Sequence, residues 1–303
     1  MPGIILLIIA GVLLLLWLLA ERGKLLQPST RNLLRGLGLR NVLNLKALHA
    51  YVYIRWTRQY ISIALNRLLP FSTERQRQAW SDRYHGKVLT PVHARAIVTI
   101  NRTIPLRDLE QVIPYPTARD LVLNGPPDIV AYECVCRASR TTACSPTQVC
   151  MIIGQPFADF ILEHHPAASR RLTQSEALTL LQQEHSRGHV HTAWFKDVML
   201  NRFYAICNCC SCCCGGLEGM VKYGMSNIAS SGFVASVDAG LCEGCGACEK
   251  ACPFKAVTVD TTSTVNWERC MGCGVCEAVC PRGALSQKRD EQKGLPFDVR
   301  TME

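Results

Sequence analysis

The longest uninterrupted apolar stretch of the chain lies at its beginning, at residues 4–20 (IILLIIAGVLLLLWLLA). As a helix rising ~1.5 Å per residue it would be about 26 Å long, near the lower limit for a ~30 Å hydrocarbon core. A signal peptide is the alternative, but no basic residue precedes the stretch, and Leu18-Leu19-Ala20-Glu21 is a poor cleavage site. The pattern therefore predicts that residues 1–22 form an uncleaved transmembrane helix.

A mixed pattern of apolar, aromatic and basic positions follows in residues 23–72. Residues 39–69 in particular predict one or two helices lying close to the membrane, where aromatic rings and positive charges meet lipid headgroups. A soluble helix packed on the body of the protein is the alternative interpretation. A nucleic-acid patch is not expected, because the basic stretch adjoins the predicted anchor.

The distribution of charge adds an orientation. The formal net charge is +9, from 33 Lys and Arg against 24 Asp and Glu, and residues 22–73 contain no acidic residue. Nine positive residues in that stretch account for the whole excess: Arg22, Lys24, Arg31, Arg35, Arg40, Lys46, Arg55, Arg58 and Arg67. Because Lys and Arg concentrate on the cytoplasmic side of a span, we expect a single-pass protein of the cytoplasmic membrane, with its N-terminus outside and the rest in the cytoplasm.

Residues 73–231 indicate a mostly helical, Cys-rich domain in a chain of the α+β class. Thr117-x-x-Asp120 before an apolar triplet predicts a short capped helix ending near Gly125. A capping box, Thr173 to Glu176, predicts a helix that continues to about Arg187.

The histidines of this part allow two interpretations. Five of them fall within 28 residues: His164, His165, His185, His189 and His191. They are either a metal or proton site or, as we favour, members of a buried polar network. His85 and His93 are expected to be core or surface residues.

Residues 232–289 combine strand-like segments with a repeated cysteine motif. Segments 233–237 and 284–286 predict outer strands, and segments 256–260 and 264–267 predict an inner hairpin. Two strings of four cysteines have the same x2, x2, x3 spacing before a proline, offset by 28 residues: Cys242, Cys245, Cys248 and Cys252, then Cys270, Cys273, Cys276 and Cys280. Thiolates at this spacing can wrap one face of an iron–sulfur cubane, with the intervening glycines letting amides approach the sulfurs.

The repeat resembles a bacterial-type ferredoxin domain with two [4Fe-4S] clusters. The resemblance implies a pseudo-twofold fold of two ββ pairs and two short helices, in which each string lends its last cysteine to the other cluster. One cluster would then be held by Cys242, Cys245, Cys248 and Cys280, and the other by Cys270, Cys273, Cys276 and Cys252. Zinc does not require such a run, and a cytoplasmic location disfavours disulfides. Residues 290–303 would be a C-terminal tail.

The remaining ten cysteines do not follow this spacing: Cys134, Cys136, Cys144, Cys150, Cys207, Cys209, Cys210, Cys212, Cys213 and Cys214. Six thiols within eight residues would oxidise easily, and a soft metal removes that problem. They could hold one cubane, two cubanes or an unusual cluster, so we expect one or two further iron–sulfur clusters. Zinc, redox-active thiols and a vicinal disulfide remain alternatives.

The order of these motifs also resembles an uncharacterised family of Cys-rich four-iron–four-sulfur proteins, over roughly residues 85–288. That family implies architecture and no established activity. The expected function is an electron-transfer subunit that relays electrons between a cytoplasmic donor and a membrane or flavoprotein oxidoreductase partner. Its expected partners are the lipid bilayer and a larger oxidoreductase or flavoprotein.

Two other functions remain open. One is a reductase that binds its substrate at an iron in the Cys-rich domain, beside Glu133, Arg137 and the histidines. The other is a redox sensor or cluster-delivery protein. The sequence contains no haem-attachment motif, dinucleotide fingerprint or phosphate loop, so flavin, nicotinamide or quinone chemistry would come mainly from a partner.

Overall fold

A seven-stranded sheet is the central element of the computed structural model, which describes residues 2–38 and 45–302. The strands of the protein are, in chain order, β1 (Tyr84–Val88), β2 (Ile104–Leu106), β3 (Leu121–Leu123), β4 (Ile129–Glu133), β5 (Gln148–Ile153), β6 (Ser169–Leu172), β7 (Val190–Lys196), β8 (Arg202–Cys209), β9 (Ile228–Ala229), β10 (Phe233–Val237), β11 (Val257–Val259), β12 (Ser263–Val265) and β13 (Leu285–Arg289). The large sheet has the order β6-β4-β5-β8-β7-β1-β9. Its pairs are antiparallel except β1 with β9, which is parallel.

Helices cover the sheet, and three of those described begin at a threonine whose hydroxyl accepts from the third amide of the helix. They are α1 (Pro2–Ala20), α2 (Pro28–Leu37), α3 (Leu45–Arg55), α4 (Thr57–Ile63), α5 (Glu74–Arg83), α6 (Pro91–Thr99), α7 (Val135–Ala138), α8 (Phe157–His164), α9 (Gln174–Ser186), α10 (Gly215–Tyr223), α11 (Ala247–Ala251) and α12 (Val275–Val279). A π-helical turn (Ala64–Leu68) and two 3₁₀ turns (Leu69–Phe71 and Glu291–Lys293) complete the elements. The predicted capping box of α9 is confirmed: the Thr173 hydroxyl accepts from the Glu176 amide.

The predicted N-terminal transmembrane anchor is wrong. Within the described ranges, no helix combines the length and the apolar character that crossing a membrane requires. With 19 residues, α1 measures about 28 Å, short of a ~30 Å hydrocarbon core. Its last turn also packs on the protein, where the Trp17 ring stacks on Tyr51 at 5.0 Å and Ala20 is buried. The predicted single-pass localisation, with the N-terminus outside and the remainder in the cytoplasm, is therefore corrected as well.

The connection after α1 is anchored by a buried carboxylate. Glu21 is fully buried and accepts hydrogen bonds from the Tyr51 hydroxyl at 2.6 Å and the Thr30 hydroxyl at 3.0 Å. Helices α3 and α4 lie within the predicted 39–69 region, whose first six residues are outside the described part. The buried residues of α3, among them Tyr53 and Ile54, pack it on the body of the protein.

A mostly helical middle domain is also wrong, because this part forms the large sheet. Strand β7 is buried at every position, and β8 at all but one, so neither shows the alternation that marks a strand in a sequence. The helix expected after Thr117 is instead β3. Ala118 has a φ of +56°, which a helix does not tolerate, and its amide donates to Asn201.

Each face of the sheet has its own core. Val130 and Tyr132 of β4 point to the side covered by α3 and α8, whereas Ile129 and Ala131 point to the side covered by α6 and α9. The two faces bury separate apolar clusters. This arrangement brings the C-terminal end of β8 and the start of α7, both rich in cysteine, close together.

The C-terminal domain contains the predicted pairs of strands. Outer strands β10 and β13 pair antiparallel, as do inner strands β11 and β12, so the strand predictions for this segment are confirmed. The domain lies against the large sheet's helices: α12 packs on α9, and a Cβ at Gly188 would stand 3.7 Å from Val275.

Candidate metal centres

Backbone amides approach the last thiol of each cysteine string in the same way. The Ala256 amide donates to Cys252 Sγ at 3.2 Å, and the Ala284 amide donates to Cys280 Sγ at 3.3 Å. The two pairs are 28 residues apart, as the sequence repeat requires. Amide donors directed at sulfur are a recurring means of stabilising reduced iron–sulfur clusters.

A second pair of amides crosses between the repeats. The Ala235 amide donates to Cys270 Sγ at 3.4 Å, and the Ser263 amide donates to Cys242 Sγ at 3.3 Å. Positions 235 and 263 are equivalent, as are 242 and 270, so each repeat supplies an amide to the first thiol of the other. The sulfurs are thus held in a pseudo-twofold arrangement by the backbone itself.

The side chain of Ser263 breaks this symmetry. Its hydroxyl lies 3.1 Å from Cys248 Sγ and 3.5 Å from Cys242 Sγ, whereas the equivalent position is Ala235. The two cysteine sets also differ in exposure, since Cys245 is exposed. The thiols of the first string therefore have one more hydrogen-bonding group beside them than those of the second string have, and they have more contact with water.

Four of the predicted ligands surround one small cavity: Cys252, Cys270, Cys273 and Cys276. They are the four cysteines that the ferredoxin resemblance places on one cluster. Burial raises the pKa of Cys276 to about 12, so without metal this thiol keeps its proton. Gly272 has a φ of +61°, and a Cβ there would lie 2.2 Å from the Phe233 carbonyl oxygen, so only glycine fits this turn. The residues present thus fit a thiolate-bound cluster.

The other ten cysteines separate into two groups, so they do not form one site. The four-thiol group consists of Cys144, Cys210, Cys212 and Cys213, whose sulfurs all lie within 4.8 Å of one another. Cys144 precedes β5, and the other three occupy the turn between β8 and α10. Burial acts to raise the pKa of Cys210, but its contact with Cys144 and the charge of Arg137 outweigh burial and lower it.

The six-thiol group is a continuous series of neighbouring sulfurs. In order of contact its members are Cys207, Cys150, Cys134, Cys136, Cys214 and Cys209. Contact with Cys136, followed by burial, raises the pKa of Cys134 to about 12. Contacts with Cys134 and Cys207 raise the pKa of Cys150 well above its usual range. A soft metal ion binds such packed thiols by displacing their protons.

A buried arginine lies beside both groups. Arg137 is fully buried and donates to Glu184 at 3.0 Å and to the Asn208 carbonyl oxygen at 3.2 Å. Glu184, also fully buried, lies 2.7 Å from His189 Nδ1. Burial acts to raise the pKa of Glu184, but His189 and Arg137 outweigh it and lower the pKa. The sequence hypothesis named Arg137 without its partner, because Glu184 lies 47 residues away.

Of the five histidines, His164 and His191 are buried and lie in polar contacts, as the network interpretation expects, whereas the other three are partly exposed. His191 Nδ1 lies 2.6 Å from Asn208 Oδ1, and the His185 ring is 5.5 Å from the His191 ring. His164 Nε2 lies 2.9 Å from the Thr30 hydroxyl. His165 Nε2 contacts the Ile54 carbonyl oxygen at 3.1 Å. His85 and His93 are buried, as expected of core residues.

A cavity of about 470 Å³ extends from the six-thiol group. The sequence does not indicate this cavity. Its lining also contains Tyr53, Tyr84, Tyr204 and Lys196. The Tyr53 and Tyr204 hydroxyls are 2.7 Å apart, and Tyr84 contacts both. Lys196 Nζ lies 4.8 Å from the centre of the Tyr53 ring and 5.2 Å from that of Tyr84. Hydrogen-bond donors therefore converge in the same cavity as the thiols.

The cavity opens to solvent beside the π-helical turn. Ile63 and Leu68, which line it, are 54% and 50% exposed. Such turns are frequent at functional sites. Gly216 forms part of the wall, and a Cβ there would stand 2.6 Å from the Trp194 ring, so the backbone must approach this ring closely. The volume lies within the range of ~300–1,000 Å³ of small-molecule sites.

Comparison with known proteins gives a class for the C-terminal part. Residues 235–258 and 263–286 match the family described as 4Fe-4S binding domain. No curated protein matches the chain. The two matching segments contain the two cysteine strings. The chain thus contains a 4Fe-4S binding domain next to a cysteine-rich region, and this supports an iron–sulfur electron-transfer role.

Proposed function

We propose that the protein is an electron-transfer protein with two [4Fe-4S] clusters in its C-terminal domain and one further iron–sulfur cluster on the six-thiol group. The observation that carries this proposal is the pair of crossed amide–sulfur bonds, which prepares two equivalent thiol sets. One set is Cys242, Cys245, Cys248 and Cys280, and the other is Cys270, Cys273, Cys276 and Cys252. Clusters bound there supply one-electron transfer at potentials that the surrounding donors adjust.

The packing of α9 supports a connection between the two regions. This helix touches α12 of the C-terminal domain on one side. On the other side, Glu184 of the same helix binds Arg137, which neighbours both thiol groups. The α9 helix thereby fixes the C-terminal domain at a constant position relative to the six-thiol group.

The proposed donor or acceptor is a flavoprotein or larger oxidoreductase that docks beside Cys245. This thiol is exposed, and Leu241 nearby in the chain is 45% exposed. A short distance between partner and cluster at this surface would suit a protein-to-protein transfer. Co-purification of the full chain under anaerobic conditions tests the partner: a stable complex with a redox-active protein supports it, whereas an isolated protein opposes it.

Counting iron tests the number of clusters. The full chain, purified anaerobically, is expected to contain at least 12 Fe, of which eight belong to the two ferredoxin-type clusters. A Cys134→Ser, Cys209→Ser double variant should lose about four Fe and keep the signals of the ferredoxin-type clusters. A wild-type content of eight Fe would contradict the third cluster. The Cys212→Ser variant, outside the six-thiol group, is the matched control.

The cavity favours one second function, a reductase. Its apolar walls, the three tyrosine hydroxyls and Lys196 fit a planar carbonyl compound of the quinone class, with an oxygen facing these donors. Each turnover would take two electrons from a low-potential one-electron donor and two protons from water, converting two C=O groups into C–OH groups. Burial lowers the pKa of Lys196, which suits a group that donates a proton.

Ligand binding tests the reductase directly. Menadione should quench the fluorescence of Trp194 in the full chain, and Lys196→Met should weaken its binding about tenfold, as loss of a charged donor predicts. The same variant should leave binding of methylnaphthalene, which lacks carbonyls, unchanged. Lys222→Met is the control, because Lys222 also lies over a tyrosine ring, at 5.0 Å, and does not line the cavity. Equal menadione affinity in both variants would contradict this function.

A further inference from the structure

The four-thiol group has the dimensions of a site for a single metal ion. Cys144 Sγ lies 3.3 Å from Cys210 Sγ and 3.7 Å from Cys213 Sγ, and the Cys212 and Cys213 sulfurs are 3.5 Å apart. A tetrahedral zinc with Zn–S bonds of ~2.3 Å places its ligands about 3.8 Å from one another. These three of the six separations agree with that edge to within about 0.5 Å, and all six lie within 4.8 Å.

The ferredoxin-type sites provide an internal comparison. Among the residues that the structure describes, the four-thiol group alone brings three or more potential ligand atoms within 4.8 Å of one another. The sulfurs of Cys252, Cys270, Cys273 and Cys276 do not meet that limit and enclose a cavity instead. At the ferredoxin-type site the four sulfurs enclose a cavity. In the four-thiol group the sulfurs lie closer together, as the binding of a single ion requires.

The charge around the group suits a tetrathiolate ion. Four thiolates with one Zn²⁺ carry a net charge of −2, and two arginines lie beside them. Arg140 Nε donates to the Cys213 carbonyl oxygen at 3.2 Å. The Arg137 guanidinium interacts electrostatically with both Cys210 and Cys144. Arg137 also pairs with Glu184, and Arg140 pairs with Glu218, so the two guanidinium groups are shared between these carboxylates and the thiol group.

The topology gives such an ion a structural role. Cys144 belongs to the loop between α7 and β5, and the other three ligands belong to the turn between β8 and α10. Residues within or directly beside these two segments, Cys136 and Cys150 on one side and Cys209 and Cys214 on the other, belong to the six-thiol group. Joining the segments would hold the six-thiol group in its arrangement.

We propose that Cys144, Cys210, Cys212 and Cys213 bind one structural zinc ion, distinct from the iron–sulfur centres. Binding releases the thiol protons and forms four Zn–S bonds, and no electron is transferred. Four protein ligands leave no open position, so the site has no catalytic role. The ten cysteines outside the ferredoxin-type strings then divide into four that bind zinc and six that remain for an iron–sulfur centre.

Metal analysis of the full chain tests the proposal. Anaerobically purified protein should contain one Zn per chain in addition to iron. A Cys212→Ser, Cys213→Ser double variant should lose that zinc and keep the EPR signals of the ferredoxin-type clusters. Cys207→Ser, in the six-thiol group, should keep the zinc. Protein without zinc, or a double variant that loses about four Fe in place of zinc, would overturn the proposal.

Cobalt substitution keeps the test decisive if the double variant does not fold. Wild-type protein produced with Co²⁺ should show the visible bands of a tetrahedral tetrathiolate, at one Co per chain. Octahedral bands, or none, would overturn the proposal. This outcome is independent of the proposed electron-transfer function. Protein can lack iron and a reduced-state EPR signal and still bind zinc, or lack zinc and still show the iron–sulfur signals.

Discussion

Replacing Ser263 by alanine is expected to lower the reduction potential of one cluster and leave the other unchanged. The Ser263 hydroxyl is 3.1 Å from Cys248 Sγ, and the side chain is buried. Once the thiol is a metal-bound thiolate, the hydroxyl is the donor, and it stabilises the reduced cluster, which carries the greater negative charge. The variant removes the hydroxyl from both Cys248 and Cys242, which belong to the same proposed cluster, and keeps the backbone amide bond to Cys242.

The size of the shift in reduction potential follows from the free energy that one hydrogen bond contributes. A net contribution of about 0.5–1.5 kcal/mol corresponds to roughly 20–65 mV for a one-electron couple, since 59 mV is a tenfold change in equilibrium constant. An EPR-monitored redox titration under anaerobic conditions measures both midpoints. Ala235→Ser adds a hydroxyl at the equivalent position and should raise the potential of the other cluster by a similar amount.

A second serine of the same domain provides the control for this prediction. Ser286→Ala removes an exposed hydroxyl of β13 in the same domain and should change neither midpoint. If Ser263→Ala raises a midpoint, or shifts both clusters equally, the hydroxyl does not act on Cys248 as the geometry indicates.

Three further predictions concern stability and iron content. Arg137→Met removes the fully buried guanidinium from the Glu184 carboxylate, which keeps His189 and Arg187, and should lower the free energy of unfolding by about 1.5–3 kcal/mol in urea denaturation. Burial lowers the pKa of His85 from 6.5 to about 4, so the unfolded chain binds its proton first as the pH falls. This contribution to stability is complete above pH ~6.5 and is lost as the pH falls towards 4, and His85→Phe should flatten the decline of the urea midpoint in that window. Gly272→Ala places a Cβ against a carbonyl oxygen at 2.2 Å and should reduce iron content by about half of the ferredoxin-type complement, as metal analysis would show.

Each of these has a matched comparison. Arg187 also pairs with Glu184 but is 42% exposed, so Arg187→Met should cost no more than about 1 kcal/mol. Equal losses in the two arginine variants would show that burial is not the cause. Gly283 has a φ of +63° and open space around its Cβ, so Gly283→Ala isolates backbone strain from the clash expected at Gly272. A decline of stability with pH that His85→Phe does not alter would remove that histidine from the acid response.

Local signals predicted the elements that local chemistry specifies. The capping box at Thr173 gave α9 almost to the residue, and the strands of the C-terminal domain followed from alternation and the cysteine repeat. These features depend on neighbours within a few residues, and a sequence displays such neighbours directly.

The large sheet could not be predicted in the same way, because its central strands are buried on both faces. Strands β7 and β8 pair with each other along their length, and the sheet is assembled from segments more than 100 residues apart. The transmembrane prediction for the apolar run of α1 is wrong for a related reason. Hydropathy does not reveal that Trp17 and Ala20 pack on the protein.

The candidate site shows the same division between local and tertiary information. Spacing identified the two ferredoxin-type strings, whose ligands lie close together in the chain. The division of the other cysteines depends on Cys144 meeting Cys210 across 66 residues, and on the cavity that the tyrosines and Lys196 form with the six-thiol group. Only the folded chain brings these together.

The most direct test of the central claim is an EPR spectrum of the full chain, purified anaerobically and reduced with dithionite. Two ferredoxin-type clusters with the predicted ligands should give the interacting signals of reduced [4Fe-4S] centres, which disappear on oxidation and return on reduction. Protein that binds zinc at the two cysteine strings and gives no signal on reduction would contradict electron transfer as its function.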